Sequence, residues 1–284
     1  MTTVSALLAE GTAALKEAGI EAPRAEARLL LEAATGLPRT TLATEPDRTV
    51  APEAAATFRS LLARRAAREP MAYLLGRAEF WSLPFEVGPG VLVPRADTET
   101  LIEAALRAFP DRSQPLRLLD IGAGSGCLAL TLLHLFPNAL AIGTDLSPAA
   151  LACTRRNARR LGVASRFLPV AARFADAMRG PLDLVVSNPP YIPSNEIPGL
   201  MPEVARFEPR LALDGGPDGL DAYRAILAAL PRLLALGGVA LLEIGQGQEA
   251  ALTPLASAHG FAVAMHPDLA GIIRCLELRP LPSA

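Results

Sequence analysis

Apolar positions recur at helical spacing through the first 70 residues: Leu7, Leu8, Ala14 and Leu15, then Ala27, Leu30 and Leu31, then Phe58, Leu61 and Leu62. Gly19, Pro23, Gly36, Pro38 and Pro52 punctuate the run, so several short helices are predicted. The pattern turns β-like at Phe80-Trp81, Phe85–Val87 and Val91–Val93, broken by Pro84, Gly88, Pro89 and Gly90, which predicts a hairpin connector. Helical spacing returns over Thr98–Phe109. From Leu116 onward strands and helices alternate. Strands are predicted at 116–121, 139–145, 167–170, 182–187 and 239–244, and helices at about 125–136, from Ser147-Pro148, and at 220–236 and 248–259. Such alternation implies crossover connections and a mostly parallel sheet with helices on both faces. Phe261–Met265 and Ile272–Leu278 have no helix between them, so they should pair antiparallel at one sheet edge. The fold class is therefore α/β. The predicted divisions are a helical domain over 1–75, a β-hairpin connector over 76–95 and an α/β domain over 96–284.

Composition narrows the function. The 284 residues are 51% hydrophobic, which excludes a wholly disordered chain. The net charge is −2, and through Glu79 the helical module has 10 basic and 10 acidic residues. Neither figure suits a general binder of nucleic acid, whose affinity comes from basic groups on phosphates. Cys127, Cys153 and Cys275 have neither disulfide-framework nor zinc spacing, and His134, His259 and His266 form no ligand pair, so no metal is expected. No basic leader precedes an apolar run at the N-terminus, and no stretch of about 18 apolar residues occurs. A cytoplasmic protein without membrane contact is the expectation.

Asp120-Ile121-Gly122-Ala123-Gly124-Ser125-Gly126 lies between a predicted strand and helix. Glycines there let backbone approach a ligand closely, and the helix start offers free N–H groups. The GxGxG spacing puts Cys127 where a dinucleotide fingerprint has its third glycine, and no Gly-Lys-Ser/Thr follows for a nucleoside triphosphate. Asp145 ends the next strand, at the place of an acid that accepts from a ribose diol. A nucleoside without a pyrophosphate fits both features, with S-adenosylmethionine the obvious candidate. A tight turn with Asp145 as a helix-start acid is the alternative.

Asn188-Pro189-Pro190-Tyr191 follows the strand 182–187, at the carboxyl edge where open α/β sheets bind ligands. A planar amide or exocyclic amine nitrogen is a poor nucleophile because its lone pair is delocalised. The Asn188 side-chain oxygen and the Pro189 carbonyl can accept both its N–H groups and aim it at a sulfonium methyl. Consecutive prolines fix φ and hold that carbonyl, and Tyr191 offers a flat face for stacking. A proline-rich turn after a buried strand leaves the flanking Asn and Tyr unexplained.

These motifs resemble the HemK/PrmC family, S-adenosylmethionine-dependent methyltransferases that modify the GGQ glutamine of class 1 peptide chain release factors. The resemblance extends through Pro70–Gly76, Glu79–Trp81, Val93–Glu99 (VPRADTE), Glu208-Pro209, Asp214–Leu220, Leu241–Gly245 with Gln248, and Asp268–Arg274 (DLAGIIR). It implies a class I methyltransferase catalytic domain, a Rossmann-like seven-stranded sheet with a reversed last strand, and an N-terminal helical domain that docks the release factor. It implies that Gly122, Ala123, Gly124, Ser125 and Gly126 line the cofactor, that Asp145 holds the ribose, and that Asn188, Pro189, Pro190 and Tyr191 form the catalytic and substrate-binding loop, Asn188 also touching the cofactor. The product would be S-adenosylhomocysteine. Near the adenine the family has an acid-aromatic pair; here the stretch is Ala171-Ala172-Arg173-Phe174. The acid is missing, a backbone N–H can still meet the ring, and Arg173 is carried as a cofactor contact.

Some features keep two readings. Arg155, Arg156, Arg159 and Arg160 form either a nucleic-acid patch or a solvated helix face. Phe80 and Trp81 form a substrate wall or core packing. Arg95 orients the loop or a cofactor carboxylate, or pairs with Asp97 or Glu99. Gly237-Gly238 is expected to end a helix. The alternatives to release-factor methylation are N6-adenine methylation of DNA, glutamine methylation of a ribosomal protein, and a non-enzymatic adaptor.

Overall fold

The computed structural model describes residues 2–282, and the chain divides into two compact units, Met1–Arg77 with Met201–Phe207 and Ala78–Leu200 with Glu208–Ala284. The first unit holds α1 (Val4–Glu17), α2 (Pro23–Thr35), α3 (Arg39–Thr44), α4 (Pro52–Ala66) and α5 (Met71–Leu75). Local chemistry sets their ends. Thr3 caps α1 by accepting from the Ala6 N–H, prolines open α2 and α4, and Gly36 closes α2 in the left-handed region. Leu7, Leu15, Leu30, Leu31 and Phe58 are fully buried between these helices. The boundary at 96–284 did not anticipate that Met201–Phe207 clusters with this unit. Its Glu203 pairs with the buried Arg65, which also holds Glu26, and with Arg68.

A two-stranded sheet joins β1 (Arg77–Phe80) to β2 (Leu83–Glu86). Trp81 and Ser82 both take positive φ, as a tight hairpin turn requires, and the Trp81 N–H donates to Glu99 at 2.7 Å. Phe80 and Phe85 meet edge to face inside the core, so core packing holds for Phe80, with Trp81 packed partly buried against the same cluster. Val91–Val93, read from sequence as strand-like, forms no strand.

The second unit continues with α6 (Glu99–Ala108), β3 (Arg117–Ile121), α7 (Cys127–Leu135), β4 (Leu140–Asp145), α8 (Pro148–Arg160), β5 (Phe167–Ala171) and β6 (Leu182–Ser187). After α9 (Pro202–Phe207), which belongs to the first unit, come α10 (Asp221–Ala229), β7 (Leu234–Glu243), α11 (Glu249–Ala258), β8 (Phe261–Pro267) and β9 (Ile273–Pro280). Seven strands lie in the order β5-β4-β3-β6-β7-β9-β8, and β9 alone runs antiparallel to its neighbours. This is the expected seven-stranded sheet with its last strand reversed. Alternate residues feed two cores. Leu118, Leu184, Val186 and Leu241 pack with α6 and α7, while Leu119, Val185, Ala240 and Leu242 pack with α10 and α11.

The helix predicted over 220–236 ends early. Pro231 lacks the N–H that would continue it, the chain tightens into a 3₁₀ turn over Leu230–Arg232, and β7 begins at Leu234. Gly237-Gly238 therefore lies inside β7, at the irregularity where its pairing with β6 shifts, and ends no helix.

Candidate active site

The chain leaves β3 for β4 on one side of the sheet and later returns to β6 on the other, so the carboxyl ends of β3, β4 and β6 border a switch point, where α/β sheets form their binding crevice. A cavity of about 760 Å³ opens there. Its walls include Gly122, Ala123, Gly124, Ser125, Asp145, Arg173, Asn188 and Pro190, so most of the residues singled out from sequence come together. Gly126, Pro189 and Tyr191 are not among its lining residues. Gly126 caps α7, Pro189 is buried, and the half-buried Tyr191 packs against the α10–α11 core.

The glycine loop is held from several sides. Gly122, Gly124 and Gly126 all have positive φ, a region closed to most side chains. The Gly122 and Ala123 N–H groups both donate to Thr144 O, and the Gly124 N–H donates to Asp145 Oδ2 at 2.9 Å. Asp145 Oδ1 accepts from the Ser147 N–H at 2.8 Å, and Ser147 caps α8 as its sequence position predicted. Each Asp145 oxygen thus keeps a lone pair for a further donor. Asn157, fully buried on α8, donates to Ser125 O and to Glu86 O and accepts from the Glu86 N–H. Sequence reasoning missed this residue, because its partners lie 32 and 71 positions away.

Asp120 is the second residue missed as a functional group. One carboxylate oxygen accepts from the Ala129 N–H in the first turn of α7; the other is buried without a partner. Burial pushes its pKa up to about 7, with the Asp145 charge adding to the rise. The signal was present in the sequence, since Asp120 opens the glycine motif. The same burial, with Asp120 beside it, pushes Cys127 up to about 12, so no thiolate is offered here.

At the end of β6, Asn188 Nδ2 donates to Thr98 Oγ1 at 3.1 Å. The chain after it is strapped by 213–219 and by Gln248: the Ile192 N–H donates to Leu213 O, the Gly215 N–H donates to Ile192 O, and Gln248 Nε2 donates to Tyr191 O. Burial and the Glu243 charge push the Tyr191 phenol up to about 12, so it stays neutral. Arg95 forms its ion pair with neither Asp97 nor Glu99. Its Nη2 meets both oxygens of the buried Glu208, while Asp97 pairs with Arg274 and Glu99 accepts from Trp81. Among the four α8 arginines, Arg156 and Arg160 pair with Glu86, which fits the solvated-face reading. Near the expected adenine position Arg173 and Phe174 line the cavity, but the Ala172 N–H is engaged by Asp145 O.

A parallel sheet with one reversed strand, a GxGxG loop at its switch point and an acid ending the next strand define a class I methyltransferase. A solved methyltransferase from Pyrococcus furiosus shares the fold, with a TM-score of 0.51 and 18% identity over 78% of this chain and 96% of that one. The PrmC N-terminal domain family matches residues 6–76, and the methyltransferase small domain family matches residues 97–199. A release factor glutamine methyltransferase of Bradyrhizobium diazoefficiens is 47% identical over 95% of this chain and 92% of its own length. One from Rhodospirillum rubrum is 45% identical over 97% and 86%. The chain belongs to the release factor glutamine methyltransferase family. No helix among the described residues is long and apolar enough to cross a membrane.

Proposed function

We propose that this protein transfers a methyl group from S-adenosylmethionine to the side-chain amide nitrogen, N5, of the GGQ glutamine in class 1 peptide chain release factors, acting in the cytoplasm. The observation that carries the reading is one cavity whose wall joins Gly122–Ser125 and Asp145 to Asn188 and Pro190. The donors and acceptors present suit the cofactor. Asp145 has lone pairs left for ribose hydroxyls, and the loop glycines admit close backbone approach. The unpartnered Asp120 oxygen can accept from the ammonium of the methionine moiety, directly or through water. Arg173 and Phe174 wall the adenine end without the acid of relatives.

When bound, the cofactor supplies an electrophilic sulfonium methyl. Asn188 Oδ1 and the Pro189 carbonyl accept the two N–H groups of the glutamine amide and turn its nitrogen toward that methyl. The two prolines hold this acceptor pair in place before substrate arrives, so the gain is one of orientation. No base is required before attack, because the nitrogen sheds its proton once alkylated. Tyr191, neutral and anchored by Gln248, closes the end of the loop. The helical unit is assigned the docking of the release factor.

Incubation with S-adenosylmethionine and a release factor, followed by peptide mass spectrometry, should place one methyl group on the GGQ glutamine. Asn188→Ala should lower turnover by about 100-fold or more, while cofactor affinity by calorimetry changes only a few-fold. An unmodified glutamine despite cofactor binding, or methyl transfer to duplex DNA instead, would overturn the reading.

A further inference from the structure

Gln248 stands immediately before α11, yet its half-buried side chain reaches the loop that follows β6. Oε1 accepts from the Gly245 N–H at 2.9 Å, in the turn after β7. Nε2 donates to Tyr191 O at 3.0 Å, at the end of the Asn188–Tyr191 loop, and to Gly219 O at 3.4 Å, in the 213–219 strap. The two amide hydrogens thus go to two carbonyls, and the amide oxygen goes to an N–H. A carboxylate would bring no donor and an ammonium no acceptor. The partners are main-chain groups whose donor and acceptor roles are fixed, so a flipped amide would set its oxygen against two carbonyl oxygens. There is little space around it. A Cβ on Gly245 would lie 3.0 Å from Gln248 Oε1 and 3.1 Å from the Tyr191 ring, and one on Gly219 would lie 2.9 Å from Gln248 Nε2.

We propose that Gln248 is a positioning residue that aims the Pro189 carbonyl, one of the two acceptors assigned to the substrate amide. Proline fixes φ but leaves ψ free. The near end of the loop is set by β6, whose last residue Ser187 lies between Ile121 of β3 and Leu242 of β7. From that fixed end, rotation about ψ of Pro189 swings the Pro189 oxygen. It carries every later residue with it, because the peptide units between are planar. Tyr191 O is two residues downstream, and Gln248 holds it. The rotation that would turn the Pro189 oxygen away from the substrate therefore has to break the bond from Gln248 to Tyr191. The prolines narrow the settings of the loop, and the amide behind it selects one.

The kinetic test rests on the proposed methyl transfer; the spectroscopic one does not. Gln248→Glu keeps the shape and keeps an oxygen for the Gly245 N–H. Ionised, it sets its other oxygen against Tyr191 O with no hydrogen between them; protonated, it donates one hydrogen to that carbonyl. Partial burial and the facing carbonyl oxygens raise its pKa above the ordinary carboxyl range. The Tyr223 hydroxyl, 3.4 Å from Oε1, is pushed by burial well above its ordinary value and stays neutral throughout. The ratio of Gln248→Glu to wild-type kcat should therefore be about one-tenth or less at about pH 8.5 and recover to about one-half at about pH 5.5. KM for the release factor and cofactor affinity should stay nearly unchanged. Taking the ratio at each pH cancels the titrations both proteins share, those of Asp120 and Glu243 included. Gln248→Ala should stay about tenfold low at both pH values. A merely structural role predicts a ratio that does not change with pH. Without any substrate, carbonyl-¹³C tyrosine gives three signals. That of Tyr191 should shift in Gln248→Ala, and in Gln248→Glu it should return toward its wild-type position as pH falls. A flat kcat ratio, or a Tyr191 signal that does not follow pH, would overturn the proposal. A wild type that leaves the release factor unmethylated, while the Tyr191 signal moves as expected, would overturn the functional reading and keep the anchor.

Discussion

At the scale of single residues, Asp120 combines two demands. It bonds the first turn of α7 and leaves a buried oxygen facing no protein donor. Its folded pKa of about 7 lies above the ordinary aspartate value of about 3.9. Between those values the folded protein holds a proton that the unfolded chain has released. Stability from this group is therefore present below about pH 4 and falls as pH rises through about 7. Asp120→Asn removes the titration while keeping an oxygen for the Ala129 N–H. The variant should gain on wild type between pH 5 and pH 8, by an amount on the order of 2 kcal/mol, with weaker cofactor binding. Thermal denaturation of both proteins across that range checks it; a difference independent of pH would remove the ionised buried carboxylate from the account. The motif advertised a loop for a nucleoside, but that Asp120 would be buried with one oxygen unused depends on α7 closing over it.

At the scale of elements, the Asn188–Tyr191 loop is stiff because a second segment straps it. Gly219 has a φ of +76°, and a Cβ there would collide with the Tyr191 carbonyl oxygen and press on Gln248 Nε2 at 2.9 Å. Gly219→Ala should therefore destabilise the protein by about 1–3 kcal/mol and displace Tyr191, reducing kcat more than cofactor affinity. Chemical denaturation and single-turnover kinetics measure the two effects. The tetrapeptide itself was legible because its residue types and its place after a strand both point to one chemistry. The strap was not. Asp214–Leu220 stood out in the sequence only as part of a resemblance, and its use appears when Ile192 and Asp214 bridge in parallel. The same distinction explains the overlong helix at 220–236. Apolar spacing continued past Pro231, but the first residue of β7 pairs with Leu182, far away in sequence.

At the scale of the whole molecule, the chain revisits its first unit after more than a hundred residues. Arg65, nearly fully buried, holds Glu26 at 2.6 Å and Glu203 at 3.0 Å, and Arg68 also reaches Glu203. Removing the guanidinium would take a cation from two partly buried carboxylates, Glu26 and Glu203. Arg65→Ala should cost about 3 kcal/mol, and urea denaturation should show a lower midpoint for the helical unit. Restoring the length without the charge, as in Arg65→Met, should recover the packing share only.

The sequence by itself determined the α/β class, the antiparallel pairing of the two terminal strands, the glycine loop with Asp145, and the Asn188–Tyr191 loop. These follow from periodicity, from the order of the elements, or from residue types within one strand-helix-strand unit, where backbone geometry transmits the pattern directly. Only the tertiary structure decided that Arg95 would meet Glu208, that Arg65 would meet Glu203, and that Thr98 would accept from Asn188. Those contacts join residues 90 to 138 positions apart. A charged or hydroxyl side chain has many chemically equivalent partners along the chain, and folding of the sheet and burial select among them.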